Sequence, residues 1–232
     1  MSEYQANEGK KLNIEIEGKT YMRIPVKTHV ITKDDVIDAT IDKYTKNIRQ
    51  EGDIIFVSEK IIAIMQGRSF PIDEIKPTAM ARFLVKFVYK SPYGIGLGSP
   101  YTMQLAIQDV GLFKLFLGCI AAALTKPFGV RGAFYKICGA KAAAIDGPCD
   151  YTIPPYNRYA KMAPKNPDKV ALSVKKKIGN DIIVLDANDL NVEILGKSNK
   201  KLNNKFLKAL FKDNPLGQAS QQTPIAIVRL NS

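Results

Sequence analysis

A mixed α/β fold, a sheet with flanking helices, is what this sequence predicts, and three observations carry the expectation. Short β-branched runs at residues 54–57, 181–185 and 225–230 read as buried strands. Between them lie amphipathic segments whose apolar residues recur every third or fourth position, as at Val170, Val174 and Ile178. Strands alternating with helices form a sheet that the helices cover. A chain of 232 residues can bury a proper core as one large domain or two small ones.

The elements follow in order. Residues 1–11 are polar and charged and are expected to form a disordered tail without a secretory signal. Alternation over 12–17 and 20–26 around Gly18 predicts a hairpin. Thr32 is placed to cap a helix whose first turn holds Asp34 and Asp35 and whose stripe is Val36, Ile37, Ile41 and Tyr44. Gly52-Asp53 turns into the strand 54–57, followed by a helix over 60–65 and a break at Gly67-Arg68. Lys76-Pro77 precedes a helix over 78–87, and 91–100 is a loop with Gly94, Gly96 and Gly98 on alternate positions. Such glycines let a backbone approach phosphates, but there is no Walker-type ending, and a hinge or substrate loop is the other reading.

Residues 111–124 are apolar except for Lys114 and stop at Lys126-Pro127. A spanning helix needs roughly 20 apolar residues, so a buried helix is expected, with an interfacial helix as the alternative and no membrane partner foreseen. Residues 133–138 read as a strand and 140–145 as a tightly packed small-residue segment. Pro148, Pro154, Pro155 and Pro164 make 146–164 an extended loop. Asn166 caps the next helix, Pro167 opens it and Gly179 closes it. An amphipathic helix over 200–212 and a last strand over 224–230 complete the chain, without internal repeats.

Composition narrows the function. Cys119, Cys138 and Cys149 are odd in number and lack zinc-like spacing, which fits reduced thiols in the cytoplasm. His29 is the only histidine, which excludes a His-rich metal site and leaves a Ser/His or Cys/His hydrolase a single possible base. A net charge of +12 attracts nucleotides, nucleic acid or an acidic polymer, and its lysines gather at 175–177 and 197–212. No aromatic-flanked RNA motif accompanies them, so a solvated basic face is the plainer account.

The chemistry-bearing stretch is 181–189, an apolar run ending in Asp186, Asn188 and Asp189. Oxygen-rich side chains at a strand's end sit where open α/β sheets bind ligands, and such oxygens suit magnesium or manganese. The other reading is a polar turn in which Asn188 and Asp189 bond their own backbone.

Three segments resemble one family in order and spacing. Residues 52–61, ending in Gly67-Arg68, resemble the "GD, apolar strand, QKI, EGR" segment of coenzyme F(420)-0:L-glutamate ligases. Asp146, residues 164–168 and the strand ending at Asp186 resemble the "AGID", "LLP.DPD" and "ITDT" series. Leu216-Gly217-Gln218 and residues 223–229 resemble the closing "MGQ...PVVIVRG". The resemblance implies a single F(420)-ligase-like domain over 12–232, built on a mixed sheet with flanking helices and present as a homodimer. It implies GTP-dependent amide formation with two divalent cations: GTP phosphorylates a substrate carboxylate, and the amine of glutamate attacks the acyl phosphate. Asp146 and Asp186, with Asp189, become metal-side oxygens, Asn188 and Gln218 supporting polar groups, and Lys60 and Arg68 phosphate contacts. Each has a bland reading too: Asp146 caps a Gly147-Pro148 turn, Lys60 is a solvated charge, Gln218 caps the last loop.

The chain also departs from the pattern. Ala187 replaces the hydroxyl residue after the metal aspartate, the arginines that follow are absent, and Ile64 stands where a second lysine is usual. Residues 151–159 have no counterpart in the ligase and offer Asn157, Arg158 and several phenols either to another ligand or to packing. These departures imply an altered acceptor, and as the alternative a family relative without catalysis that binds an acidic partner or nucleic acid.

Overall fold

A computed structural model of the chain describes residues 4–88, 95–130, 132–189 and 191–231. They form two compact units, Met1–Gln66 with Pro164–Ser232, and Gly67–Ala163. The first unit opens with strands β1 (Asn13–Ile16) and β2 (Lys19–Val26), helix α1 (Ile37–Thr45), strand β3 (Ile54–Ser58) and helix α2 (Glu59–Met65). The second holds β4 (Ser69–Pro71), α3 (Ala79–Leu84), α4 (Pro100–Val110), α5 (Leu112–Thr125), α6 (Ala133–Cys138), α7 (Ala140–Ala143) and β5 (Tyr159–Lys161). The first resumes with α8 (Pro167–Ile178), β6 (Asp181–Ala187), β7 (Val192–Lys197), α9 (Asn204–Leu210) and β8 (Ile225–Asn231).

The first unit is built on a six-stranded mixed sheet in the order β1-β2-β8-β3-β6-β7, in which only β3 and β6 run parallel. The expected hairpin is present. Its two turn residues, Glu17 (φ 52°) and Gly18 (φ 74°), both adopt positive φ, the type I′ geometry that matches strand twist. Both faces of the central strands are covered, which explains why they read as continuous apolar runs. Phe56, Ile183, Leu185, Ala226 and Val228 pack with Leu207, Leu210 and Phe211 around α9, where Phe56 stacks on Phe211 at 4.2 Å. Ile55, Val57, Ile182 and Val184, one residue out of phase, are buried on the opposite face.

β7 was not foreseen, and a register shift gives it a second role. Leu185 lies opposite Ile194, but Val184 lies opposite Gly196, so Leu195 is the extra residue of a bulge. The bulge turns Gly196 against the start of α8, where a Cβ would stand 2.4 Å from the Pro167 carbonyl carbon. Asp168 fixes the same junction by accepting from the Lys197 backbone N–H at 2.9 Å.

Several expected boundaries move. Thr32 does not cap α1: its backbone N–H and hydroxyl donate to Asp35 at 2.8 and 3.1 Å, closing a separate turn, and the helix starts at Ile37 behind an exposed Val36. Asn166 precedes α8 in the left-handed region without a side-chain cap bond, while Pro167 and Gly179 fall where expected. The helix at 200–212 contracts to Asn204–Leu210.

In the second unit, 133–138 is a helix and not a strand. Phe134 and Cys138, four residues apart, are buried on the side facing α5, while Tyr135 and Lys136 are exposed, a helical period that aromatic and β-branched composition masked. The extended loop 146–164 contains β5, which pairs with β4. Gly94 lies outside the described residues; beyond it Leu97 is buried, the Gly98 N–H donates to the Ile95 carbonyl at 2.7 Å, and Ser99 with Thr102 forms a capping box on α4. The expectation of a buried helix at 111–124 is corrected as well. Only Leu115, Gly118 and Cys119 of α5 are buried, and its other face is exposed. No single helix among the described residues is long and apolar enough to cross a membrane.

Candidate functional site

The parallel pair defines the candidate site of the first unit. Ser58 ends β3 opposite Leu185, so Glu59 and Lys60 leave the sheet where β6 runs on to Asp186, which is still paired with β7. That is the carboxyl edge, where open α/β sheets place ligands. The Ser58 hydroxyl accepts the Lys60 backbone N–H at 3.3 Å and caps α2. Ile61 to Met65 are all buried and hold the helix against the sheet, leaving Lys60 half-exposed. The Lys60 ammonium meets no hydrogen-bond or ion-pair partner among the described residues, whereas the neighbouring Glu59 is buried at the same strand end.

Past Asp186, which lies opposite Glu193, β6 turns into β7. The Asn188 N–H donates to the Asn191 carbonyl at 3.0 Å and the Asn191 N–H to the Asn188 side-chain oxygen at 2.9 Å, the polar turn that the sequence allowed. Asp189 extends from this turn and accepts Lys10 Nζ at 2.8 Å and Gln218 Nε2 at 2.7 Å. Lys10 first and Gln218 second hold its carboxyl below the usual carboxylate range. Two expected site residues thus meet directly: Gln218, from the connection between α9 and β8, reaches Asp189 on the hairpin that also carries Asp186 and Asn188.

Gln218 is aimed by the turn before it. Asn214, at φ 48°, donates its side-chain amide to the Gly217 carbonyl at 3.0 Å, and the Gln218 N–H donates to Gln221 Oε1 at 2.8 Å. Lys10 is a site residue that sequence reasoning missed. The stretch expected as a disordered tail is described from residue 4, and Asn7 ties it to the body by donating to the Pro215 carbonyl and the Thr223 hydroxyl, each at 2.9 Å. Those partners are more than 200 positions away, so no local pattern signalled them.

Asp146 and Arg68 belong to the second unit. Asp146 is exposed and forms a two-way backbone bridge with Lys161 (3.1 and 2.9 Å), and Lys161 lies opposite Ser69 of β4. Arg68 is buried, donating to the Ala163 carbonyl at 2.5 Å and to Asp109 at 2.6 Å, so its guanidinium is engaged in packing. In the segment 151–159, the Cys149 N–H donates to the Asn157 carbonyl at 3.2 Å, and Tyr156 packs edge-on to Tyr159 at 5.0 Å. The Tyr151 phenol is pushed up to about 12 by its hydrogen bond with Cys149, then by burial and the nearby Cys149 and Asp146.

Among the described residues no three His, Cys, Asp or Glu side chains gather into a metal-holding group. The oxygens of Asp186, Asn188 and Asp189 are nonetheless the donors a hard cation takes. Magnesium carried by a nucleotide needs only one or two protein carboxylates, the phosphates and water supplying the rest. The two Asp189 oxygens already accept Lys10 and Gln218, and the Asn188 oxygen accepts the Asn191 N–H, so these groups do not make a closed protein cage for a cation among the described residues.

A family model described as F420-0:Gamma-glutamyl ligase matches residues 25–194, most of the chain. The chain belongs to this family. No curated protein matches it. The matched span of this F420-0:gamma-glutamyl ligase family member contains Lys60, Arg68, Asp146, Asp186, Asn188 and Asp189, while Gln218 lies beyond it. Some of the family-like motif is structural. Asp53, of the "GD" pair, is buried and receives the Arg229 guanidinium through two hydrogen bonds, 2.9 and 2.7 Å, which ties the start of β3 to β8. Ile64, where a second lysine is usual, is a core residue at 5% exposure.

Proposed function

We propose that the chain is a nucleotide-dependent amide ligase of the F420-0:gamma-glutamyl ligase type with an altered acceptor. The observation that carries the reading is the family match over residues 25–194, with Asp186 and Lys60 at adjacent carboxyl ends of the parallel strands. In this reaction a nucleotide phosphorylates a carboxylate, and an amine displaces phosphate from the acyl phosphate. Catalysis then consists mainly of positioning the transferring phosphoryl group and offsetting its charge. Lys60, with no protein partner for its ammonium among the described residues, supplies a cation at the strand edge. Asp186 and Asp189 would hold magnesium or manganese, which when bound neutralises charge on the phosphoryl oxygens. Gln218 and Lys10 keep Asp189 oriented and ionised. Asp146 and Arg68 take their metal and phosphate assignments from the motif alone. Ala187 and Ile64 are the grounds for a changed acceptor, and a cytoplasmic homodimer is the proposed setting.

Isothermal titration with GTP tests the reading. We expect binding that requires magnesium or manganese, is lost in Asp186→Ala and weakens at least tenfold in Lys60→Ala. Failure to bind any nucleotide would overturn it. The second reading, a non-catalytic binder of an acidic partner or nucleic acid, is favoured by the +12 charge and predicts binding that falls steeply with salt and ignores Asp186→Ala.

A further inference from the structure

Apart from Lys114 and Thr125, helix α5 is apolar on both sides, a pattern expected when both sides are covered. One side is covered by its own unit: Leu115, Gly118 and Cys119 are buried, and Gly118 lies so close to α6 that a Cβ would stand 2.5 Å from Cys138 Sγ. The other side is not. Phe113, Phe116, Leu117, Ile120 and Leu124 are spaced three or four apart, so they form one continuous outward stripe. Phe113 is 75% exposed, Leu124 66%, and Phe128 in the following turn 83%. Phe83 of α3 and Phe87 of the turn that follows it, paired edge to face at 5.1 Å, add exposed aromatic surface, and that turn packs beside α5. A contiguous exposed patch of this kind marks an interaction surface.

Charge identifies what covers it. Between Asp109 and Asp146 the described residues include four exposed cations, Lys114, Lys126, Lys136 and Lys141, and the sequence has no carboxylate there, so the elements around the stripe carry positive charge alone. A second copy meeting this face through its own would set like charges against each other, which is unfavourable at an interface. An anionic lipid surface neutralises them and takes the phenylalanines and leucines into its acyl boundary, while lysine stems reach the headgroups. Length and angle decide how the helix sits. α5 has 14 residues, too few to span, and the chain turns by 118° between α4 and α5 at Gly111 (φ 94°).

We infer that the outward stripe of α5 docks this protein on an anionic bilayer surface, lying in the interface and not crossing it. The inference rests on the second unit alone and does not depend on the ligase reading. The chain contains no tryptophan, so Phe113→Trp gives a single reporter. With the full chain and phosphatidylglycerol/phosphatidylcholine vesicles, we expect a blue shift of its emission and co-sedimentation at least tenfold stronger than with pure phosphatidylcholine. Phe113→Glu/Leu124→Glu should lower retention at least tenfold while circular dichroism shows the fold intact. Should that pair disturb the helix, Phe128→Glu, outside α5, should still lower retention measurably. Absence of a blue shift, or retention indifferent to all these substitutions, overturns the proposal. So does a dimer seen by light scattering that Phe113→Glu/Leu124→Glu splits while vesicles retain nothing, since a second copy would then be the cover.

Discussion

Asp181 shows how a half-buried carboxylate is kept charged at a strand start. It accepts Lys175 Nζ at 2.6 Å, the Ser198 hydroxyl at 3.0 Å and the Asn199 amide at 3.1 Å. Burial opposes ionisation, but Lys175, Asn199 and Ser198 outweigh it and hold the carboxyl below its ordinary value of 3.8. A folded-state value below the unfolded one means the unfolded chain binds the proton first. Its stabilisation is therefore complete above that value and is lost as the pH falls through the lower folded value. Asp181→Asn should cost about 1.5–3 kcal/mol at pH 7, the range of hydrogen bonds to a charged group, and the difference from wild type should shrink toward pH 3. Urea unfolding at the two pH values measures this; a gap that widens in acid refutes the assignment.

At the scale of elements, α8 approaches β7 so closely that backbone meets backbone at Gly196. The obstacle to a side chain at Gly196 is backbone, the Pro167 carbonyl and the Asp168 nitrogen at 2.6 Å, so nothing there can swing aside. Gly196→Ala should destabilise by about 1–3 kcal/mol, the cost of forcing volume into a packed site, read as a lower urea midpoint at unchanged slope. This junction also shows what was legible in the sequence. The runs were readable because strands covered on both faces must be apolar at every covered position, here 54–57, 182–185 and 225–228. β7 was missed because its bulge breaks the alternation after Ile194, and 133–138 was misread because six residues hold too little periodicity to separate helix from strand. At the candidate site, Asp186, Asn188 and Asp189 showed themselves as oxygen donors ending an apolar run. The link from Asp189 to Lys10 and Gln218 did not show, because it joins residues 179 and 29 positions away.

For the molecule as a whole, the second unit is an insertion into the first, between Gln66 and Pro164. The ends of the first unit at this point are stapled: the Gln66 side-chain amide donates to the Lys165 carbonyl at 3.0 Å and its oxygen accepts the Lys165 N–H at 2.6 Å. A chain in which a short Gly/Ser linker replaces residues 67–163 should keep the six-stranded sheet, shown by strand circular dichroism and a single cooperative melt; a molten baseline would show that the first unit does not stand alone. The sheet order has a kinetic corollary. β8 lies between β2 and β3, and its clasp to β3 joins Asp53 to Arg229 across 176 positions. Until that strand arrives, the early hairpin and the β3–β6 pair each present an open edge to any other nascent polypeptide. Pairings so distant slow conformational search, so self-association during refolding should compete with correct closure, and a chaperone that shields edges has its clearest task here.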